Sequence, residues 1–240
     1  MSEKPINLHA HEVRAILDGR QTMLRRVMRP QPSEYFNPSQ VEMYHPAITD
    51  KDGYLAPGAE IFGCYDRNGE DEGYKFPFGK PGDLLWVRET SIIAPKHFAT
   101  PDDSCIPDAD GAPRYIQYLA SQPNTEAAGW YKLKKTPSIF MPRWASRITL
   151  EIVSVRVERV QDISEEDAVR HGVERLKDDP SFWHDYYPRG EKNGLRCSRS
   201  AKSAYTGIWD SINAKRGFGW DANPFVWVIE FRRVEKGVAV

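Results

Sequence analysis

The sequence has little of what secreted, membrane-anchored or strongly charged proteins carry. Its three cysteines (Cys64, Cys105 and Cys197) lie far apart without a CxxC pair, so we expect neither a disulfide framework nor a metal site. No apolar run approaches the roughly 20 residues of a membrane span, and the first residues lack the apolar core of a signal peptide. The formal net charge is -1, so no overall field attracts nucleic acid. We therefore expect a cytoplasmic protein without a cofactor, in which any contact with nucleic acid depends on a local basic patch.

The 240 residues do contain enough apolar and aromatic material for a sizeable core. Hydrophobic residues make up 40% of the chain and seven residues are tryptophan, while 18 prolines and 17 glycines indicate many loops. Regions with little periodicity separate the regular segments. We expect one domain over residues 1–240, with insertions at about 30–80, 95–143 and 174–200, the first holding a short hairpin around residues 60–65.

Hydrophobic periodicity predicts three short helices. The first covers residues 8–18 and ends at Gly19, a plausible C-terminal cap. The second begins at Ser164, which can cap the acidic first turn, and Gly172 closes it. The third covers residues 204–217.

Three strands are predicted, over residues 84–88, 146–160 and 225–234. Within the second, apolar residues occupy even positions up to Ile152 and odd positions from Val153 onward. Such a phase change indicates a β-bulge, which a barrel needs where its strands bend. The elements predict an α+β fold, a small mixed β-barrel with short helices on its rim and long loop insertions.

The segment GRQTMLRR, residues 19–26, is the main candidate for function because arginines follow a helix end. Arg20, Arg25, Arg26 and Arg29 can form a clamp for phosphate or a base, since guanidinium groups bond phosphate bidentately and stack on bases. The alternative is a solvated turn with an ion pair to Glu12 or Asp18.

Two further groups mix charge with aromatic side chains. Arg88 and Glu89 end the first strong strand, either as a structural bridge to each other or as ligand contacts. Arg143, Trp144 and Arg147 combine the residue types that hold phosphate and stack on bases in single-strand binders. Trp144 is more typical of a core or loop-anchoring residue.

Four segments in order, residues 16–26, 80–90, 147–173 and 209–234, resemble the ASCH domain family of PUA-like β-barrels, which are related to RNA-binding modules. The chain is most similar to the longer phage and prophage members, which share a segment like residues 142–147. The resemblance implies a cleft at the barrel rim that accepts a nucleotide or base. It places residues 20–26 at that cleft and favours a binding role for Arg25 and Arg26.

One branch of this family, the bacterial N4-acetylcytidine amidohydrolases, uses a lysine, a threonine and a glutamate in the cleft. The matching positions here are Gln21, Leu24 and His171, so the base and the nucleophile of that chemistry are missing. The remaining catalytic candidates form a shifted pair, with Thr22 as nucleophile and His171 as its base.

Three functions are therefore open. The favoured one is a phage-type ASCH domain that binds RNA, single-stranded nucleic acid or a modified nucleotide without hydrolysing it. Its predicted binding residues are Arg20, Gln21, Thr22, Arg25, Arg26, Arg88, Glu89, Arg143, Trp144 and Arg147. The alternatives are an amidohydrolase or nuclease with an altered residue set, and a phage accessory protein that binds a host protein.

Overall fold

The structure, a computed structural model, describes residues 2–33, 36, 42–65, 71–95, 105–121, 133–184 and 197–234. The strands are β1 (Glu3–Asn7), β2 (Met23–Val27), β3 (Glu42–Tyr44), β4 (Ala47–Thr49), β5 (Leu55–Pro57), β6 (Ile61–Tyr65), β7 (Asp71–Tyr74), β8 (Leu84–Arg88), β9 (Ser91–Pro95), β10 (Cys105–Pro107), β11 (Pro113–Tyr118), β12 (Thr149–Arg159), β13 (Trp183–His184), β14 (Cys197–Ser198) and β15 (Phe225–Val234). The α-helices are α1 (Ala10–Leu17), α2 (Glu165–Arg170) and α3 (Ala201–Asn213). The predicted α+β class is confirmed.

The centre of the fold is a five-stranded sheet in the order β1-β8-β12-β15-β2. β1 runs parallel to β8, and the other neighbouring pairs are antiparallel. β1 and β2 are therefore the two edges, yet Nη2 of Arg26 in β2 donates a hydrogen bond of 3.3 Å to the carbonyl of Asn7 in β1. The sheet thus curls until its edges face each other.

The predicted barrel is not closed within the described residues, because no ladder joins β1 to β2. The chain passes between these strands through α1, and the Arg26 side chain takes the Asn7 carbonyl. A gap consequently stays open between the two edges.

The β-bulge predicted in the long strand is confirmed. The register of β12 against β15 shifts between Ile152 and Ser154, which leaves Val153 as the extra residue, 51% exposed. The two strands pair on both sides of this bulge. A bulge bends a strand and increases its twist, which favours the observed curl.

Each face of the sheet covers its own apolar core. On β15, Trp227 and Ile229 belong to the core that contains Val13 of α1. The alternate residues Val226 and Val228 belong to the core of α2 and α3. This alternation places α1 on one face and the other two helices on the opposite face.

Two of the three predicted insertions contain more strand than the sequence suggested. β3, β6 and β7 form one antiparallel sheet and β4 and β5 a hairpin, while β10, β11 and β9 form another sheet. The hairpin predicted around residues 60–65 is confirmed in that β6 pairs with β7, but β3 also pairs with β6. In the third insertion, β13 and β14 form a two-residue ladder. Residues 185–196 of this insertion lie outside the described part of the chain. No helix in the described segments is both long and apolar enough to cross a membrane.

Candidate functional site

A cavity of about 630 Å³ lies in the gap between the two edges of the central sheet. Its walls come from β1, the start of α1, β2, and the last two turns of α3 with the residues that follow. This volume falls within the range of about 300–1,000 Å³ typical of small-molecule sites. The open sheet edge therefore forms a concave site.

The backbone amides and carbonyls of β2 point alternately toward β15 and toward this gap. The Phe231 amide donates to the Thr22 carbonyl at 3.0 Å, and the Met28 amide donates to the Phe225 carbonyl at 3.1 Å. In an antiparallel pair, only every second residue bonds to the neighbouring strand. Even-numbered residues of this segment thus face β15, and the amide and carbonyl of Arg25 point to the open edge.

Side chains of the same segment partly cover this edge. Gln21 Nε2 donates to the Met23 carbonyl at 2.9 Å, and Arg26 Nη1 donates to the Arg25 carbonyl at 3.0 Å. These bonds satisfy two outward carbonyls, as natural edge strands require. The amides of Arg25 and Val27 still point toward the gap, where both residues line the cavity.

Arg25 forms a buried wall of the cavity. Its side chain is 0% exposed, and Nη2 donates to Glu158 at 2.7 Å and to Asp167 at 3.1 Å. Nη1 lies 2.5 Å from Nε2 of His171. Arg156 bonds to the same two carboxylates. With its charge already balanced, Arg25 is fixed in place, and it is not a free clamp for phosphate.

The contact with Arg25 sets the protonation of His171. A guanidinium can only donate, so Nε2 of His171 accepts, which assigns a neutral ring with its proton on Nδ1. Burial and then the charge of Arg25 hold the pKa of His171 well below its usual value. The Thr22 hydroxyl contacts Nε of Arg170 at 3.4 Å. Because the Nε2 lone pair is occupied, this geometry offers no support for a Thr22–His171 catalytic pair.

Arg26 is also paired, on the other face of β2. Its guanidinium donates to both oxygens of Glu12, at 2.9 and 3.3 Å. Burial raises the pKa of Glu12, but Arg26 and its neighbours outweigh this and leave it below the usual value. Glu12 additionally accepts from the His9 amide at 2.8 Å, which closes the first turn of α1. Arg26 thus forms the ion pair with Glu12 that was the alternative to a phosphate clamp, although Arg26 also lines the cavity.

Arg20 does not line the cavity, and its guanidinium is also paired with carboxylates. Nη2 contacts Asp18 at 2.9 Å and Glu174 at 2.6 Å, and Nη1 donates to the Gly172 carbonyl at 2.8 Å. Arg20 therefore ties the end of α1 to the segment after α2.

Three cations at the cavity are not neutralised. Arg29, Lys75 and Arg216 line it, and none forms an ion pair within the described part of the chain. Lys75 and Arg216 are exposed, and the Arg29 guanidinium lies 5.1 Å from the centroid of the Phe218 ring. They provide positive charge for an anionic group. Neither Lys75 nor Arg216 belongs to a motif, so the sequence carried no signal for them.

The inner part of the cavity combines amides with aromatic rings. The Gln21 amide oxygen is buried and has no hydrogen-bond partner in the described structure. Asn213 Nδ2 donates to the Trp209 carbonyl at 3.2 Å, and both residues line the cavity with Tyr205. The centroid of the Tyr205 ring lies 4.6 Å from that of the His171 ring. Amides and rings of this kind can hydrogen-bond and stack on a planar ligand.

The other predicted binding residues lie away from this cavity. Glu89 accepts from Nε and Nη2 of Arg147 at 2.8 and 2.9 Å, so the expected bridge between Arg88 and Glu89 is wrong. Adjacent residues of an extended chain point in opposite directions, and Arg88 instead lies 4.6 Å over the Trp86 ring.

Two residues of the third predicted group also have structural contacts. Arg143 Nε donates to Glu3 at 2.9 Å. Trp144 is half-buried and packs against a small core with Ile116 and Met141, which favours the loop-anchoring alternative.

The positions that the ASCH resemblance assigns to hydrolysis do not converge in the cavity. Gln21 and His171 line it and are paired in an isolated β-bridge, but Leu24 is fully buried in the core behind β2. Among the residues that the structure describes, no group of three histidine, cysteine or acidic side chains could hold a metal ion. No protein-family model, curated protein or solved structure matches this chain.

Proposed function

We propose that this chain binds RNA, single-stranded nucleic acid or a modified nucleotide in the cavity between β1 and β2. The observation that carries the proposal is the distribution of charge. Inside the cavity, Arg25 and Arg26 are neutralised by carboxylates, whereas Arg29, Lys75 and Arg216 have no such partner among the described residues. A neutral base suits the interior and phosphate suits the three free cations.

The interior offers the contacts that a base requires. Tyr205 and Trp209 supply aromatic surface, and the side-chain amides of Gln21 and Asn213 supply hydrogen-bonding groups. Stacking and hydrogen bonds of this kind are how unpaired bases are recognised. A purely electrostatic site would not need them.

The finer fold proposal is a PUA-like ASCH domain. A curled five-stranded sheet with a bulged long strand supports it, as does the position of residues 20–26 beside the open edge. On the same resemblance we propose a phage or prophage origin and action in the cytoplasm of the bacterial host.

The proposal excludes hydrolysis by the family's residues. Gln21 has no basic atom, and a nucleophile at position 24 would lie in the apolar core, because Leu24 is 0% exposed. His171 uses its Nε2 lone pair for Arg25. Binding without turnover is what these three positions support.

Fluorescence anisotropy with a labelled single-stranded RNA tests the proposal. The triple variant Arg29→Ala, Lys75→Ala and Arg216→Ala should bind more weakly and lose salt dependence. Each lost phosphate contact removes about 0.7 from the slope of log K against log salt. A wild-type affinity and slope in this variant would overturn the proposal.

A matched control removes the same charge elsewhere. Lys51, Lys177 and Arg199 are exposed and do not line the cavity. Their triple alanine variant should keep the wild-type slope. Equal losses in both triple variants would mean that only net charge attracts the RNA.

A further inference from the structure

A second, smaller cavity adjoins the first. Its volume is about 290 Å³, and it shares Asn7, His9 and Ser138 with the larger cavity. Asn7 and His9 are exposed and lie between the end of β1 and the start of α1. Asn7, His9 and Ser138 thus form a polar ridge that borders both cavities.

The chemistry of the smaller cavity differs from that of the larger one. Thr90, Leu119 and Ala120 contribute to its walls together with Glu89, and no cation is among its lining residues, all of which are described. Glu89 is 2% exposed, and its charge is balanced by the bidentate contact with Arg147. A phosphate would meet a carboxylate here, whereas a neutral ring would not be repelled.

Glu89 also selects among neutral rings. A carboxylate is only an acceptor and has lone pairs beyond those that Arg147 uses. Acidic side chains accept hydrogen bonds from exocyclic amino groups such as N4 of cytosine. Uracil has no such amino group, so a base that carries one, such as cytosine, suits this cavity better.

One cation without an ion pair among the described residues, Arg14, lies beside the path from one cavity to the other. Arg26 reaches the ridge through its contact with the Asn7 carbonyl, but Glu12 already balances its charge. Arg14 is exposed and donates to the carbonyl of Ala120, at the wall of the smaller cavity, at 3.2 Å. A backbone phosphate linking two bases could therefore cross the ridge near positive charge.

We propose that the two cavities are subsites for successive bases of one strand, with an amino-bearing base in the smaller cavity. The ligand is then a single-stranded nucleic acid of at least two nucleotides, and not a free mononucleotide. This inference rests on the proposed function and narrows its ligand class.

Calorimetric titration with the mononucleotides CMP and UMP and with the dinucleotides CpC and UpU tests the inference. CpC should bind about tenfold more tightly than CMP, which is within the range that one base contributes in single-strand binders. UpU should gain less over UMP than CpC gains over CMP.

A blocking variant identifies the second subsite. Thr90 is exposed and lines only the smaller of these two cavities, so Thr90→Trp should fill it without disturbing the core. The variant should bind CMP like the wild type and lose the tenfold gain for CpC. Thr49→Trp, on the exposed strand β4, is the matched control and should keep the gain. Circular dichroism checks that both variants are folded.

The outcomes separate the two proposals. Equal affinities for CMP and CpC overturn the second subsite and leave the proposed function intact. A tenfold gain that persists in Thr90→Trp overturns the assignment of the smaller cavity. Binding of neither CMP nor CpC, together with no binding of a longer RNA, overturns the proposed function itself.

Discussion

Replacing Arg25 with methionine should destabilise the protein more than any exposed charge substitution. The Arg25 side chain is fully buried and bonds to Glu158, Asp167 and His171. Methionine fills a similar volume but donates no hydrogen bond. The variant therefore leaves two carboxylates and one imidazole without their donor.

The structure sets the expected magnitude. Removing one partner of a buried ion pair costs about 3–5 kcal/mol. Glu158 and Asp167 are 22% and 15% exposed and keep their contacts with Arg156, which favours the lower end of that range. We expect a loss of about 3 kcal/mol, equivalent to a Tm lower by about 10 °C for a chain of this size.

Urea denaturation followed by tryptophan fluorescence measures this loss. Arg232→Met is the control, because Arg232 is 69% exposed and its pair with Glu151 should contribute at most about 1 kcal/mol. Arg25→Lys, which keeps the charge without the planar fork, should fall between the two. If Arg25→Met and Arg232→Met unfold within about 0.5 kcal/mol of each other, the reasoning about the buried network is refuted.

Three further predictions concern residues at or near the cavity. Because folding lowers the pKa of His171, the stabilisation by the neutral ring is complete above about pH 6.5. Below that pH the free energy of unfolding should fall by up to about 1.4 kcal/mol per pH unit. Urea melts of His171→Gln should lack this pH dependence, and identical pH profiles for the variant and the wild type would contradict the prediction. Gly172→Ala should lower the free energy of unfolding by about 2 kcal/mol in the same melts, since φ is +80° and an added Cβ would lie 2.6 Å from that of Ala15; an unchanged midpoint would disprove this. After incubation with N4-acetylcytidine, chromatography should detect no cytidine for the wild type. The variant that combines Gln21→Lys, Leu24→Thr and His171→Glu should also form none, because residue 24 is buried away from the cavity. Turnover by either protein would contradict this prediction and show that the pocket still supports the chemistry.

Local patterns made part of the fold predictable. The two phases of apolar residues on either side of Val153 identified the bulge of β12, since each phase must face a core. Ser164 marked the start of α2, and its side chain does accept from the Asp167 amide at 3.0 Å. Each of these signals involves residues that are close together in the sequence, so the sequence alone was enough to predict the structure there.

The strand β2 could not be predicted in the same way. Met23, Leu24 and Arg25 are buried in succession because both faces of this strand are covered, so the usual alternation is missing. The partners of Arg25 follow more than 130 residues later in the chain. The segment consequently resembled an open basic turn, although it is an edge strand with a neutralised arginine.

The candidate site was predictable only in part. The ASCH resemblance pointed to Gln21 and Arg26, which do line the larger cavity. Lys75 and Arg216 reach it from segments that carry no recognisable motif, and Glu89 lies in the adjoining cavity. Such convergence depends on the curl of the sheet, which no local spacing reveals.

Chemical-shift mapping by NMR with a short cytidine-containing RNA tests the central claim most directly. If the cavity binds the RNA, the side-chain amide signals of Gln21 and Asn213 and the indole signal of Trp209 should shift together during the titration. Shifts confined to residues outside both cavities, for example the β4–β5 hairpin, or no shifts at all at low salt, would contradict the claim.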